Sequence, residues 1–415
     1  MSNVLTEFTP FEYLLIHIAG ALGKDKLLFE ERIEYVKRHA RELHKMVDDA
    51  DDKPAFVRGL IELENYRKGN FNSGMMCGLD GTASGLQMLS VMSGCVTTAT
   101  NVGLVDPNKR CDVYTEGVYQ MNKLLHPSKH ILLKADGNYD GLTRDDVKDA
   151  IMTKYYGSVA RPEAIFGKGT QELAVFYAAL RQMNPGAEDL MEDLLGCIDV
   201  LRTQYSWIMP DGFNVICNVI AETTKTVEIQ ELPNRSGNPS TFSHIYKFIG
   251  QDPSYVATAA NGAHSCDSLV VREMHRRVNH DKELLTKALS SVRGARVTDR
   301  SQFVSVRMAN AIVNGEAWHT EITESMAGQL AEIIEDVLEH PKYPLVTVHD
   351  EFKSCLPAMG VVRHHYRNIL AEVADSELAT QMLRGMYADN SVVYHKQRGH
   401  EELSSLIRQS RYAIC

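Results

Sequence analysis

No stretch of the 415 residues is apolar for long enough to cross a bilayer, and the opening MSNVLTEFTPFEYLL carries no basic cluster ahead of an apolar one. Neither a membrane-embedded protein nor a secretory leader is expected. The eight cysteines (77, 95, 111, 197, 217, 266, 355 and 415) form no Cys-x-x-Cys pair and no Cys/His ligand spacing. They read as reduced thiols of a cytoplasmic protein, not as a disulfide frame or a zinc site. The glycines around Lys168 do not fit the G-x-x-x-x-G-K-[ST] phosphate loop. Internal repeats and low-complexity tracts are also missing. So is an excess of positive charge: 44 Lys and Arg against 54 Asp and Glu leave a net charge of −10. That balance gives no hint of a nucleic-acid partner, yet it does not exclude one, because binding depends on where the cations sit.

The length and a 44% hydrophobic content allow a sizeable core in roughly two or three domains. Residues 11–70 carry helical periodicity, and FEERIEYVKRHARELHKMVDDA alternates charge at i, i+4 spacing, as a solvated amphipathic helix does. NFNSGMMCGLDGTASGLQML (70–89) is small and glycine-rich, with a single acid, Asp80. A helix is expected over 112–135, ending near HPSKH, and mostly helix over 144–205, interrupted at YYGS and RPEAIFGKGT. Alternating β-branched residues around a Pro-Asp-Gly turn predict hairpins over 207–232, followed by a loop, LPNRSGNPSTFS. Helices resume after His264, through 320–340 and after 357.

Three short stretches carry candidate chemistry. Asp80 stands at a strand-to-turn junction ahead of GTASGLQ. In RDDVKDAIMTKYYGS, Arg144 and Lys148 share a helix face, and the spacing puts 155–156 further along the same side. Two cations and an aromatic on one face suit a triphosphate at one end and a base or sugar at the other. In YPLVTVHDEFKS, Leu345–Val348 read as a buried strand running straight into His349 and Asp350. Each stretch alone has a plainer reading: a turn aspartate, a solvated helix side, a strand end. VHDEF is also compatible with an HD-type metal phosphohydrolase, which needs additional histidine ligands.

Taken together and in order, these stretches resemble the single-subunit RNA polymerases of phages and mitochondria. DGTASGLQ is similar to that family's first metal-binding motif, with Asp80 and Gly81. Arg144, Lys148 and Tyr156-Gly157 are similar to its nucleotide-binding helix, and His349-Asp350 to its second metal aspartate beside the primer end. DVY places Tyr114 at the incoming nucleotide, WIMPDGF is similar to a family turn, and NGAHSCD places His264 near the sugar. Lys26 matches a lysine near the nucleotide phosphates, and Met152 stands where family-A DNA polymerases carry an aromatic. The resemblance implies an α+β right-hand polymerase fold, with a palm built on an antiparallel sheet and mostly helical fingers. It implies palm at 1–96, fingers at 97–264 with a β-hairpin region near 207–250, and palm again at 265–415. A helical element near 280–335 is inserted in the last part, and a C-terminal tail closes the chain. The implied activity is template-directed ribonucleotidyl transfer with two Mg²⁺, held by Asp80 and Asp350 and assisted by Lys148. Two carboxylates from distant points of the chain can hold such ions about 3.5–4 Å apart.

Family-A DNA polymerases share the Arg…Lys…Tyr-Gly helix and the VHDE string, and Glu351 is more like theirs. They carry a glutamate five residues after the first aspartate as a bar to a 2′-hydroxyl, where this sequence has Gly85. A degenerate, non-catalytic subunit is a further alternative, opposed by the intact Asp80, Lys148, Tyr156 and Asp350. The family's upstream Asp-x-x-Gly-Arg motif is not found, nor are a thumb and N-terminal domain. The expectation is therefore the large catalytic subunit of a split, two-chain phage enzyme for middle genes, working in the host cytoplasm without a membrane. A second, smaller subunit would supply the arginine motif and the thumb. DNA template, nascent RNA and ribonucleoside triphosphates are the other implied partners.

Overall fold

The computed structural model describes residues 4–72, 74–125, 143–199, 201–219, 221–248, 257–397 and 399–415. Among them lie seven strands: β1 (Met76–Asp80), β2 (Gln204–Ile208), β3 (Asn214–Asn218), β4 (Ala221–Pro233), β5 (Pro239–Phe248), β6 (Val346–Val348) and β7 (Glu351–Cys355). They form three antiparallel sheets, ordered β1-β7-β6, β2-β3 and β4-β5. Helices make up most of the remainder, so the molecule is a mixture of helix and small antiparallel sheets, as the sequence led one to expect. No described helix is long and apolar enough to cross a membrane.

The three-stranded sheet positions the site. In β1, Cys77 and Leu79 turn into the main core while the alternate residues stay partly open, the period-2 pattern of a half-buried strand. Pairing Met76 with Cys355 puts Asp80 opposite Glu351, so β1 delivers its terminal acid beside the β6–β7 turn. The C-terminal tail then seals the free edge. Cys415 N donates to Asp80 O at 2.9 Å, Thr82 N donates to Ala413 O at 3.3 Å, and Gly81 bridges Ile414. Under this corner the buried Gln87 amide donates to the carbonyls of Val102 (3.0 Å) and Ala413 (2.9 Å), while its oxygen accepts from the Tyr366 hydroxyl at 2.7 Å. Every polar atom of that amide is used, which leaves the strand end little freedom.

The main core runs through most helices and includes Leu14, Leu89, Ile151, Phe176, Leu269, Phe352 and Ile369. A second, smaller core is built by helices Lys282–Val292, Met308–Asn314 and Glu324–Leu338. Leu285, Ala288, Leu289 and Val292 on the first, with Met326, Leu330, Ile334 and Val337 on the third, repeat at three- and four-residue steps and pack together.

Several local expectations need correction. The stretch from Phe29 is helical only to His39. It is not simply solvated, because Phe29, Arg32, Ile33 and Val36 are buried. RPEAIF, read as an interruption, is helix Ala160–Phe166, closed by Gly167 at φ 87°. The loop expected over 232–243 is narrower: β4 reaches Pro233 and β5 starts at Pro239, leaving a turn at 234–238. The helix carrying His264 begins earlier, at Ala257. The helix expected over 112–135 is seen as Val113–Leu125, and 126–135, including HPSKH, lies outside the described residues. Finally, β6 is not buried: Val346 and Val348 are both 51% exposed, since β6 is the edge of a sheet. An apolar β-branched run reads the same whether its faces are covered or not.

Candidate active site

Asp80 and Asp350 meet at the sheet's end. Asp350 sits not at a strand terminus, as expected, but with His349 in the two-residue turn joining β6 to β7. His349 takes φ 56°, uncommon for a residue with a side chain, and the turn is held by Gly81 N donating to Asp350 O at 3.1 Å. Asp80 is open to solvent on one side. Crowding by protein on the others, reinforced by the negative charges of Asp350 and Glu351, pushes its pKa up to about 6. Among the side chains, Lys148 works in the opposite direction. Glu351 leans over Gly78 on the strand and pairs with Lys353 at 3.0 Å, so part of its charge is spent there.

These two carboxylates suit a hard divalent cation. They offer oxygen donors only, and burial together with the charges of Asp350 and Glu351 disfavours ionised Asp80, which a bound cation would offset. The residues present therefore fit Mg²⁺.

Beside the pair opens a cleft of about 810 Å³, lined among others by Tyr114, Met152, Tyr156, His264, His349 and Asp350. The Tyr156 ring stacks on His264, centroids 4.4 Å apart and 14° from parallel, and its hydroxyl donates to Asp267 Oδ2 at 2.8 Å. Burial, with a contribution from the charge of Asp350, raises the Asp267 pKa to about 7, and the Tyr156 hydroxyl opposes that rise. Burial, and then the charge of His349, lower the pKa of His264. Gly85 has a positive reason to be glycine: a Cβ there would stand 2.8 Å from the Tyr156 hydroxyl oxygen. The space above Gly85 is where that hydroxyl lies.

The cationic helix is Arg144–Lys154, started by a Thr143–Asp146 capping box. Arg144 makes a double contact with Asp112, Nε at 2.6 Å and Nη2 at 3.3 Å, and its guanidinium lies 5.3 Å from the Tyr114 ring centroid. Lys148 approaches the same ring at 6.0 Å, and no described carboxylate forms an ion pair with it. Burial, against the opposing charge of Arg144, pushes the Tyr114 pKa up to about 12. Met152, 42% exposed, lines the cleft.

One placement differs from the helical-face expectation. The helix ends at Lys154, so Tyr156 is not on it; a turn with Gly157 at φ 84° turns Tyr156 toward the cleft while Tyr155 is buried. Lys26 pairs with Asp25 at 2.5 Å and does not line this cleft.

Some residues that build the site escaped the sequence reading. Asp267 follows His264 by three positions on one helix, so NGAHSCD contained the signal, but nothing local marks it as the Tyr156 acceptor. Asp112, two residues before Tyr114, is the partner that orients Arg144. Asp211, fully buried in the Pro-Asp-Gly turn, receives Arg272 at 2.5 and 3.0 Å and Arg276 at 3.0 Å, tying the β2–β3 hairpin to helix Ala257–Val278. Such a buried charge is tolerable only because it is paired.

An acidic pair at the end of an antiparallel sheet, beside a helix carrying a lysine with no carboxylate partner among the described residues and a tyrosine-lined cleft, is a class of site suited to metal-assisted phosphoryl chemistry. Comparison with known proteins narrows the class. Residues 7–165 match the family model described as DNA-dependent RNA polymerase. A probable DNA-directed RNA polymerase of Neurospora crassa is 31% identical over 168 residues, covering 36% of this chain and 18% of that protein. The DNA-directed RNA polymerase of Pseudomonas phage phiKMV is 24% identical over 248 residues, covering 49% and 30%. The mitochondrial DNA-directed RNA polymerase 1 of Arabidopsis thaliana is 27% identical over 168 residues, covering 35% and 17%. The chain thus matches less than a third of the length of each of these relatives. Over these stretches it is similar to phage and mitochondrial DNA-directed RNA polymerases.

Proposed function

We propose that this chain carries the catalytic centre of a DNA-dependent RNA polymerase and adds ribonucleotides to an RNA 3′ end under direction of a DNA template. What carries the reading is the placement of Asp80, at the end of β1, beside Asp350 of the β6–β7 turn, which lines the Tyr156 cleft. Both carboxylates, with the Gly81 main chain, would hold Mg²⁺, which when bound acidifies the 3′-hydroxyl and offsets the charge of the departing pyrophosphate. Lys148, free of a carboxylate partner among the described residues, would place its ammonium on the triphosphate. Arg144, Tyr114 and Met152 would form the wall beside the incoming nucleotide, with Asp112 fixing the guanidinium. Tyr156 and His264 would meet the ribose, and His349 the primer end. Lys26 keeps a phosphate-binding role only if its pair with Asp25 opens.

The alternative of a DNA polymerase is disfavoured at Gly85. A side chain there, such as the glutamate of family-A DNA polymerases, would meet the Tyr156 hydroxyl, whereas glycine leaves that space to the hydroxyl. A degenerate subunit is disfavoured by the intact Asp80–Asp350 pair. We read the palm at 1–96 and 265–415, the fingers at 97–264, and the helical element near 280–335 as an insertion. We further read the chain as the catalytic half of a two-chain phage enzyme, acting in the host cytoplasm with a smaller subunit that brings a thumb and an Asp-x-x-Gly-Arg arginine. The test is primer extension with ribonucleotides by the chain purified with its associated proteins. Asp80→Ala and Asp350→Ala should each abolish addition while leaving folding and association intact. Wild-type-like extension by either variant sinks the two-metal assignment.

A further inference from the structure

On either side of the β6–β7 pair in the chain, helix Glu324–Leu338 of the small core meets helix Met359–Asp375 of the main core through a group of imidazoles. Asp336, His340 and His364 can each offer one ligand atom, all within 4.8 Å of one another. Asp336 Oδ1 is 2.7 Å from His364 Nε2, Asp336 Oδ2 is 3.5 Å from His365 Nδ1, and Asn368 Nδ2 lies 3.1 Å from His364 Nε2. The rings of His340, His364 and His365 meet edge to face, with centroids 5.7, 5.9 and 5.2 Å apart.

An ordinary His–Asp pair accounts for His364 and Asp336. It leaves His340 Nε2 and both ring nitrogens of His365 buried without a hydrogen-bond partner. Buried polar atoms rarely stay unpaired, and three on two neighbouring imidazoles point to something missing between the rings. The charges around them are otherwise balanced: Arg277 makes a double contact with Glu372 at 2.7 and 2.6 Å, and Arg300 pairs with Glu332 at 2.6 Å.

We propose that Asp336, His340 and His364 hold one divalent transition-metal ion of the zinc type, with His365 or water in the fourth position, and that this ion fastens the small helical core to the main one. Imidazole nitrogens with one carboxylate suit Zn²⁺ or Co²⁺ and not Mg²⁺, which prefers oxygen alone. Ligands about 2.0–2.1 Å from a tetrahedral zinc stand roughly 3.3 Å from each other. The cluster brackets that spacing, with Asp336 and His364 at 2.7 Å and all three ligand atoms within 4.8 Å of one another, so small side-chain movements close it. A polar cleft of about 290 Å³ reaches the cluster at Asp336 and Asn368. The site draws ligands from segments about thirty residues apart that serve different cores, which is the work of a structural ion.

Chelator-treated full-length chain should be dialysed against Zn²⁺ in the presence of excess Mg²⁺ and its metal content measured. About one Zn²⁺ per chain is expected, with Zn²⁺ raising the unfolding temperature and Co²⁺ giving the intense visible absorption of a tetrahedral site. His340→Ala and His364→Gln should each weaken binding at least tenfold and remove both signals. Circular dichroism of each variant checks folding. Should one fail to fold, the other and the Co²⁺ spectrum of the wild type still decide. A folded wild-type chain that retains no Zn²⁺, or variants that retain it equally, would overturn the proposal.

Discussion

Asp267→Asn separates the two things that Asp267 does. In the folded chain its pKa stands near 7 against an ordinary 3.8, chiefly because it is buried. The sign follows from linkage. Between those values the folded chain holds a proton that the unfolded chain has lost, so stability falls as pH rises from about 4 to about 7 and stays reduced above that. At 1.36 kcal/mol per pH unit, the penalty above pH 7 is at most about 4 kcal/mol. An asparagine cannot ionise, yet its carbonyl oxygen still accepts the Tyr156 hydroxyl. The variant should match wild type near pH 4 and become progressively more stable than it toward pH 8. The measurement is urea unfolding at a series of pH values. Asp80 is shifted in the same direction and present in both proteins, so it cancels in the difference. Sugar preference should survive in Asp267→Asn, because Tyr156 remains anchored. Parallel stability curves for the two proteins would refute the placement of Asp267 as a buried, proton-retaining acceptor.

Tyr156→Phe removes the hydroxyl and should reduce discrimination between ribo- and deoxyribonucleotides by about 1–3 kcal/mol, read from competing incorporation. Unchanged discrimination would remove Tyr156 from the sugar site. Gly85→Ala should act in the same direction with Tyr156 intact, because its methyl would stand 2.8 Å from the Tyr156 hydroxyl and push the ring off Asp267. Full wild-type selectivity would show that this contact is irrelevant. Lys148→Ala should raise the nucleotide KM and lower kcat, with Arg144→Ala milder because its charge is shared with Asp112. Identical kinetics would return the helix to a surface role. The chain alone, at net charge −10, should bind nucleic acid weakly and extend primers slowly until a thumb-bearing chain is added in stoichiometric amount. Processive synthesis without it would end the two-chain reading.

What the sequence determined by itself was the local setting and order of the candidate residues. Asp80 at the end of a strand, Arg144 and Lys148 on one helix and the His349-Asp350 pair are all local patterns, set by residue type and short spacing. Period-2 and period-3.6 patterning likewise marked most strands and helices. Only the tertiary structure decided which of these residues meet. Lys26 was matched to a phosphate-side lysine by resemblance, and in the structure it pairs with its neighbour Asp25 at the surface and does not line the cleft. Tyr156 reached the cleft by a turn at Gly157, not along a helix face. Asp267 acquired its role from a hydroxyl 111 positions earlier, and the exposure of β6 depended on what does not cover it. The imidazole cluster joins Asp336 and His340 to His364 across a strand pair and a turn, so their spacing of four residues did not announce the third member. The physical reason is common to all of these. Charge, burial and hydrogen-bond partnership are properties of neighbours in space, and for residues separated by tens or hundreds of positions those neighbours exist only once the chain has packed.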